Sequence, residues 1–171
     1  MAKIANENKI KATPDVAVIN CSVKSVQVYG TGDSAVRYRV TLDTMIDAIK
    51  KEGDDYIASQ VDYVDFVPRV LIAQCINNIE GLDIMYTKKK ESGLRNDNNS
   101  GFGAAELQVV LRGAKLEIER TKFEAGSEYT TAAGEVQTHE NEGYNTNITK
   151  IKVSEKVQAK LDEMFDSVFD I

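Results

Sequence analysis

Basic side chains occur in two patterns that suit the binding of anions. The first is segment 87–101, which is polar throughout and has an aromatic residue at each border. Its candidate contacts are Tyr86, Lys88, Lys89, Lys90, Arg95 and Phe102. Cations that track phosphates, beside rings on which bases stack, are the chemistry of single-strand recognition. Segment 87–101 is therefore predicted to be either a flexible basic arm that closes on a polyanion or a solvated linker.

The second pattern is Arg37 and Arg39 in the sequence AVRYRVTLD. Residues two apart on a strand project from the same face, and the apolar residues between and beside them occupy the other face. The arginine face is therefore predicted to point away from the core. Two interpretations remain open: contacts to a nucleic acid strand, or ordinary ion pairs with Asp or Glu across the sheet.

The remaining inventory offers little catalytic chemistry. The single histidine, His139, stands in the polar run VQTHENEG and is predicted to be a loop residue. Cys21 and Cys75 lack CxxC spacing and are predicted to be small core residues rather than metal ligands. Asp62 and Asp65 would suit acid/base or metal-dependent hydrolysis, but no second cluster of ligands accompanies them. We expect no enzyme activity, no cofactor and no metal.

Composition points to one domain without a positive overall field. The chain has 171 residues, a formal charge of -6 and a pI near 4.9, so any contact with a polyanion must come from local patches. It has no apolar run of about 18 residues and no signal-like start, so we expect a cytoplasmic protein without a membrane span. Residues 1–15 are predicted to be a flexible leader.

The elements that must position these residues are mainly strands. Alternation from Val16 to Tyr29 changes phase: Ile19, Cys21 and Val23 share one face, and Val26 and Val28 then take over, so a bulge is predicted near Lys24 and Ser25. After the turn YGTGDS, a second strand carries Val36, Tyr38, Val40 and Leu42 inward and is predicted to run on to a hairpin tip near Gly53. A third strand covers about Tyr56 to Tyr63, with Ile57, Val61 and Tyr63 inward.

Helices are predicted between the third and fourth strands and at the end of the chain. One begins at Pro68 and stops at Gly81, and GAAELQVVLRG is predicted to form another, with LDIMYT as a brief strand between them. Residues 114–119 and NITKIKV form the fourth and fifth strands, with a long hairpin connection between them. Ser154 is predicted to cap a final amphipathic helix carrying Val157, Leu161 and Met164.

This order matches a five-stranded oligonucleotide/oligosaccharide-binding (OB) barrel with helix between its third and fourth strands. INCSVKSVQVYGTGDSAVRYRVTL, LRGAKLEIERTKFEAGSEYTT and YNTNITKIKV resemble bacteriophage single-stranded DNA-binding proteins with this barrel, over about residues 15–171. The expected organisation is a leader at 1–15, a barrel domain at 16–153 and an acidic helix or tail at 154–171.

The resemblance implies a protein that coats single-stranded DNA without sequence preference in replication or recombination. The outer face of strands two and three would hold the DNA together with the flanking loops, and the acidic tail would bind replication and recombination proteins. The candidate DNA contacts are Lys24, Tyr29, Arg37, Arg39, Tyr56, Tyr86, Lys88, Lys89, Lys90, Arg95, Lys122 and Tyr129. The candidate partner-binding residues are Asp162, Glu163, Phe165, Asp166, Phe169, Asp170 and Ile171.

Other interpretations stay open. The final helix could simply dock on its own domain, or the acidic tail could occupy the DNA groove when DNA is absent. The acidic net charge also suits a phage structural or assembly protein that uses the same barrel for protein contacts. The sequence is compatible with an oligomer.

Overall fold

A computed structural model describes residues 16–30, 36–91, 102–131 and 133–169, with side chains as far as Met164. The predicted leader, 1–15, lies outside these residues. The elements in chain order are β1 (Val16–Tyr29), β2 (Arg37–Glu52), β3 (Asp55–Phe66), α1 (Pro68–Asn78), α2 (Leu82–Glu91), α3 (Ala104–Leu111), β4 (Lys115–Phe123), β5 (Glu128–Thr130), β6 (Val136–Thr138), β7 (Gly143–Lys152) and α4 (Glu155–Phe169).

The chain divides into two compact units. Among the described residues, unit 1 comprises those in 16–19, 47–61 and 119–147, and unit 2 comprises those in 20–46, 62–118 and 148–169. All four helices belong to unit 2, and the small β5–β6 hairpin belongs to unit 1. The candidate sites are therefore described one unit at a time.

Five strands form an antiparallel sheet in the order β3-β2-β1-β4-β7, which confirms the mainly β prediction. The sheet is open: β3 and β7 are its edges, and the predicted closed barrel is not found among the described strands. Two side chains of α1 instead form hydrogen bonds with the backbone at the edge of β7. Gln74 Oε1 accepts from Ile148 N at 2.8 Å, and Asn78 Nδ2 donates to Ile148 O at 3.0 Å. These side chains satisfy backbone groups that a closing strand would otherwise pair.

The predicted bulge in β1 is confirmed. Val23 lies opposite Leu42 and Ser25 lies opposite Thr41, so Lys24 is the extra residue. Beyond the bulge, the N–H of Val26 donates to the side-chain oxygen of Gln108 on α3. The helix therefore satisfies a backbone donor just beyond the bulge.

The alternation predicted for the first half of β2 is confirmed at Tyr38, Val40 and Leu42, whereas Val36 is only half-buried and the pattern is lost after Ile46. Tyr38, Val40, Leu42 and Ile46 are all at most 2% exposed, and the strand runs to the turn at Gly53. Other inward assignments are wrong. Val28 and Ile57 are 44% and 42% exposed, and Tyr63 stacks on Arg39. Alternation counted from one end of a strand gives the wrong buried face where the strand extends beyond the core or where a bulge changes its phase.

Three of the four helices follow the prediction and one replaces a predicted strand. α1 begins at Pro68, and α3 buries Leu107, Val110 and Leu111 as expected. The segment LDIMYT, predicted as a strand, forms α2 together with the first lysines of segment 87–101. Asp83 lies in the first turn and Lys88–Lys90 lie in the last turn, so their charges complement the helix dipole. These charges favour a helix over the predicted strand.

The final helix is docked in its described part. The N–H of Val157 donates to Ser154 Oγ at 3.3 Å, which confirms the predicted cap. Leu161 is 3% exposed, and α4 packs against α2. Docking thus accounts for the burial of Leu161, whereas Val157 and Met164 are half-buried. None of the helices in the described ranges combines the length and hydropathy needed to cross a bilayer.

Candidate functional site

Four residues of unit 2 form one cluster on the face of the sheet opposite Tyr38: Tyr29, Arg39, Tyr63 and Asp65, here called the Arg39 cluster. The guanidinium carbon of Arg39 lies 3.7 Å from the ring centroid of Tyr29 and 3.7 Å from that of Tyr63. Strand register produces this arrangement, because Gln27 of β1 lies opposite Arg39 and Tyr29 lies opposite Arg37. The two rings are attracted to the guanidinium, and Tyr29, which is 53% exposed, still presents surface on which a planar group can stack.

Asp65 completes the cluster with a bidentate ion pair. Arg39 Nε donates to Oδ1 at 2.8 Å and Nη2 donates to Oδ2 at 3.0 Å. The hydrogen bonds to Asp65 are the main cause of a raised pKa for Arg39. For Arg39, the prediction of an ordinary cross-strand ion pair is therefore confirmed, and the charge of the guanidinium is balanced locally.

The neighbouring candidates on this part of the sheet are accessible. Tyr29 is 53% exposed, and Lys24 at the bulge is exposed as well. Arg37 is half-buried, and its Nη1 donates to the carbonyl of Val36 at 2.9 Å. Strand register brings Tyr29, Arg37 and Arg39 to one face, whereas Tyr56, which the resemblance placed on the same outer face, belongs to unit 1. Tyr63 and Asp65 were not predicted as DNA contacts, although their two-residue spacing matches that of the arginines.

The candidates around segment 87–101 are largely explained by α2. Tyr86 packs edge-on against the fully buried Phe102, with ring centroids 5.4 Å apart, and Lys90 Nζ lies 5.2 Å from the Tyr86 centroid. Lys88, Lys89 and Lys90 occupy the last turn of α2 rather than a loop. The rest of the predicted arm, including Arg95, lies outside the described residues.

The other predicted contacts belong to unit 1 and have partners of their own. Tyr56 lies 6.0 Å from Lys51 Nζ, measured from the ring centroid. Lys122 Nζ is 3.7 Å from Glu142 Oε2, and Tyr129 Oη donates to Gln137 Oε1 at 2.9 Å.

Unit 1 also contains an aromatic stack that the sequence did not reveal. The His139 ring lies between Phe123, 3.8 Å away, and Tyr129, 4.3 Å away, measured between centroids. Its backbone accepts from Gly126 and donates to Ser127. His139 was predicted to be a loop residue, and it does follow β6 directly, but its ring is half-buried in this stack.

Arg120 is the buried charge of unit 1. Only 8% of it is exposed, its Nε donates to Thr146 Oγ1 at 2.9 Å, and its Nη1 donates to the carbonyl of Asp47. The guanidinium also lies 4.4 Å from the Tyr144 centroid. Burial lowers the pKa of Arg120, and Tyr144 and Asp47 oppose that shift. Arg120 of β4 thus forms hydrogen bonds to β7 and to β2. Little of its surface is accessible to a ligand.

The acidic residues of α4 are exposed where they are described. Asp162 accepts from Gln158 Nε2 at 2.9 Å, and Glu163 is exposed. The backbone of Phe165, Asp166 and Phe169 is helical. The side chains of those residues, and Asp170 and Ile171 entirely, lie outside the description.

The Arg39 cluster therefore offers aromatic surface for stacking a planar group, and its one cation is neutralised by Asp65. Such an arrangement suits the binding of a ligand rather than catalysis. In the described ranges no three His, Cys, Asp or Glu side chains converge as metal ligands would. Comparison of the chain with protein-family models, with curated proteins and with solved structures finds no match in any of the three.

Proposed function

We propose that this protein binds single-stranded nucleic acid, and DNA in particular, on the part of the sheet that carries the Arg39 cluster. The observation that carries the proposal is the stack of Tyr29, Arg39 and Tyr63 on the side of the sheet away from the core. Bases of any identity have a π-face, so stacking on such a platform is tolerant of sequence. Coating of single strands in replication or recombination in the cytoplasm is the corresponding role, and it does not require a closed OB barrel.

The Arg39–Asp65 ion pair determines whether stacking or charge attraction contributes more to the binding free energy. Because Asp65 balances Arg39, that guanidinium contributes stacking rather than a free charge. Stacking on one aromatic ring is worth about 1–3 kcal/mol per base. Tyr29, the more exposed ring, then supplies the first base contact, and Arg37, which lies opposite Tyr29 in the strand register, supplies a contact to phosphate. Lys24, exposed at the bulge of β1, supplies a further phosphate contact. We therefore expect binding with moderate rather than steep salt dependence.

The test is a fluorescence-anisotropy titration of labelled oligo-thymidine and of the matching duplex, at low and moderate salt. Tyr29→Leu removes the exposed ring at similar volume and should weaken single-strand binding about tenfold, or about 1.4 kcal/mol. Tyr129→Leu is the comparison variant, because the proposal places binding on the Arg39 cluster of unit 2, whereas Tyr129, a candidate contact from the sequence, belongs to unit 1. Equal loss in both variants, or equal affinity for duplex and single strand, would remove the proposal.

A second candidate is a structural or assembly protein that contacts other proteins through unit 1. It is favoured by apolar side chains left in solvent there: Val16 is 47% exposed, Val18 57%, Ile57 42% and Val136 64%. Exposed apolar surface often marks a protein interface. An absence of oligonucleotide binding, together with self-association that Val136→Glu abolishes, would make this the better function.

A further inference from the structure

The helical layer of unit 2 contains an apolar groove of about 480 Å³. Its apolar lining comes from three helices: Met85 of α2, Val109 and Val110 of α3, and Val157, Leu161 and Met164 of α4. Val109 is 59% exposed although a β-branched side chain gains from burial. The groove is thus open apolar surface on a side of the protein that the single-strand proposal does not use.

Two basic side chains line this groove and two more line a depression beside it. Lys89 and Lys160 line the groove, and Arg112 and Lys156 line an adjoining depression that shares Val109, Val157 and Lys160 with it. The acidic residue among the described lining is Glu106, and its carboxylate accepts from the N–H of Gly103 at 2.7 Å. These four cations contrast with the net charge of -6 of the whole chain. The groove therefore fits an amphipathic segment with carboxylates beside its apolar side chains.

The chain itself contains such a segment immediately after the groove-lining part of α4. Residues 165–171 read FDSVFDI, with large apolar residues at Phe165, Val168, Phe169 and Ile171, carboxylates at Asp166 and Asp170, and no basic residue. Apolar positions three and four apart are those that a helix uses when it lies in a hydrophobic groove. Its charge is opposite to that of the rim.

The same molecule cannot place this segment in its own groove. Val157, Leu161 and Met164 already line the groove, and the backbone continues as helix to Phe169. At 1.5 Å per residue, the helix carries Val168 about 6 Å beyond Met164 along its axis. A return into the groove would require the last turn of α4 to unwind.

We propose that the groove binds residues 165–171 of a second copy of this chain. Insertion covers Val109 with apolar side chains and brings Asp166 and Asp170 to the basic rim. Reciprocal insertion between two copies gives a closed dimer, whereas insertion in one direction gives a growing chain of copies. The proposal is independent of nucleic acid binding, so failure of one leaves the other standing.

Two variants with complementary defects provide the test. Val109→Glu places a carboxylate in the groove and keeps segment 165–171. A chain ending at Met164 keeps the groove and loses the segment. Analytical ultracentrifugation should show concentration-dependent association of the full chain at low salt, weaker association at moderate salt, and monomers for each variant alone. The two variants mixed should form a 1:1 complex, because one supplies the segment and the other the groove.

Val136→Glu is the matched control: it places the same charge at an exposed valine of unit 1, 64% exposed, and should leave association within about twofold of that of the unaltered chain. The proposal is overturned if the full chain stays monomeric, if the shortened chain associates like the full chain, or if the mixed variants do not combine. Circular dichroism of each variant checks that the fold is retained. Loss of association in Val136→Glu alone would assign the contact to unit 1 and also reject the groove.

Discussion

The guanidinium of Arg39 and the carboxylate of Asp65 are joined by two hydrogen bonds, of 2.8 Å and 3.0 Å, on the stacking face of unit 2. Both side chains keep solvent contact, with 21% and 30% of their surface exposed. A phosphate that approaches the edge of Arg39 formed by Nε and Nη2 must therefore compete with Asp65, whereas this ion pair does not use the donors on Nη1. The strength of the Arg39–Asp65 ion pair therefore determines how strongly Arg39 can attract a phosphate of a nucleic acid strand.

Replacing Asp65 by asparagine should strengthen single-strand binding. The change removes a negative charge from the face and frees the donors of Arg39 for a phosphate, so we expect affinity to rise about three- to tenfold. If one more phosphate is neutralised, the slope of log K against log salt becomes more negative by about 0.7. Anisotropy titrations over a salt series measure both quantities. Weaker binding with an unchanged slope would show that the ion pair orients the stack rather than masking the charge.

Local patterns in the sequence anticipated much of the sheet. The phase change in β1 predicted the bulge at Lys24, and strict alternation predicted the buried side of β2, because each follows from the geometry of a single strand. The start at Pro68 and the cap at Ser154 are equally local signals, whereas α1 ends at Asn78, before the predicted stop at Gly81. Two-residue spacing likewise brought Arg37 and Arg39 to one face beside Tyr29.

The missed features depend on contacts between distant segments. Tyr63 and Asp65 reach Arg39 across 24 and 26 positions of sequence, and Phe123 meets His139 across a hairpin. Barrel closure was predicted from element order, but order does not say whether the last edge pairs with a strand. Side chains of α1 occupy that edge at Ile148. α2 was mistaken for a strand because a short apolar run has no decisive period.

Gln74→Leu should expose the edge of β7 locally. The substitution keeps the helix-forming character of the position but removes the oxygen that accepts from Ile148 N. A buried or half-buried N–H left without a partner costs about 1–3 kcal/mol. Hydrogen exchange followed by NMR should show protection of the Ile148 amide falling by about tenfold or more, while the amide of Val40 in central β2 keeps its protection. Uniform loss at both amides would indicate global destabilisation instead.

The two thiols should resist alkylation in the native protein. Burial raises the pKa of Cys75 to about 12, and burial together with the negative charge of Asp43 raises the pKa of Cys21 to about 11. Cys75 is fully buried, and little thiolate forms at pH 8. Iodoacetamide followed by mass spectrometry should find both unmodified at pH 8 and both modified in urea. Rapid native labelling of Cys75 would contradict its burial.

The same thiols should make stability fall at alkaline pH. Their folded pKa values lie above the ordinary value of 9.0, so both states are protonated below pH 9 and the contribution to stability is complete there. Above pH 9 the unfolded chain loses the protons first, and stability is lost until the folded pKa values are passed. Each thiol contributes a slope of up to about 1.4 kcal/mol per pH unit. Cys75→Ala should flatten this part of the curve, whatever the substitution costs at neutral pH.

Gly143→Ala should destabilise the β4–β7 region through the ring of Phe123. A Cβ at residue 143 would lie 2.7 Å from Cζ and 3.2 Å from Cε1 of Phe123. That ring cannot move freely, because it stacks on His139 at 3.8 Å, which in turn stacks on Tyr129. Overpacking of this kind typically costs about 1–3 kcal/mol, and urea denaturation would measure it. In Phe123→Leu the clash is largely gone, so the second substitution should then cost less than about 0.5 kcal/mol. Equal costs in the two backgrounds would mean that the glycine is needed by the backbone and not by the aromatic stack.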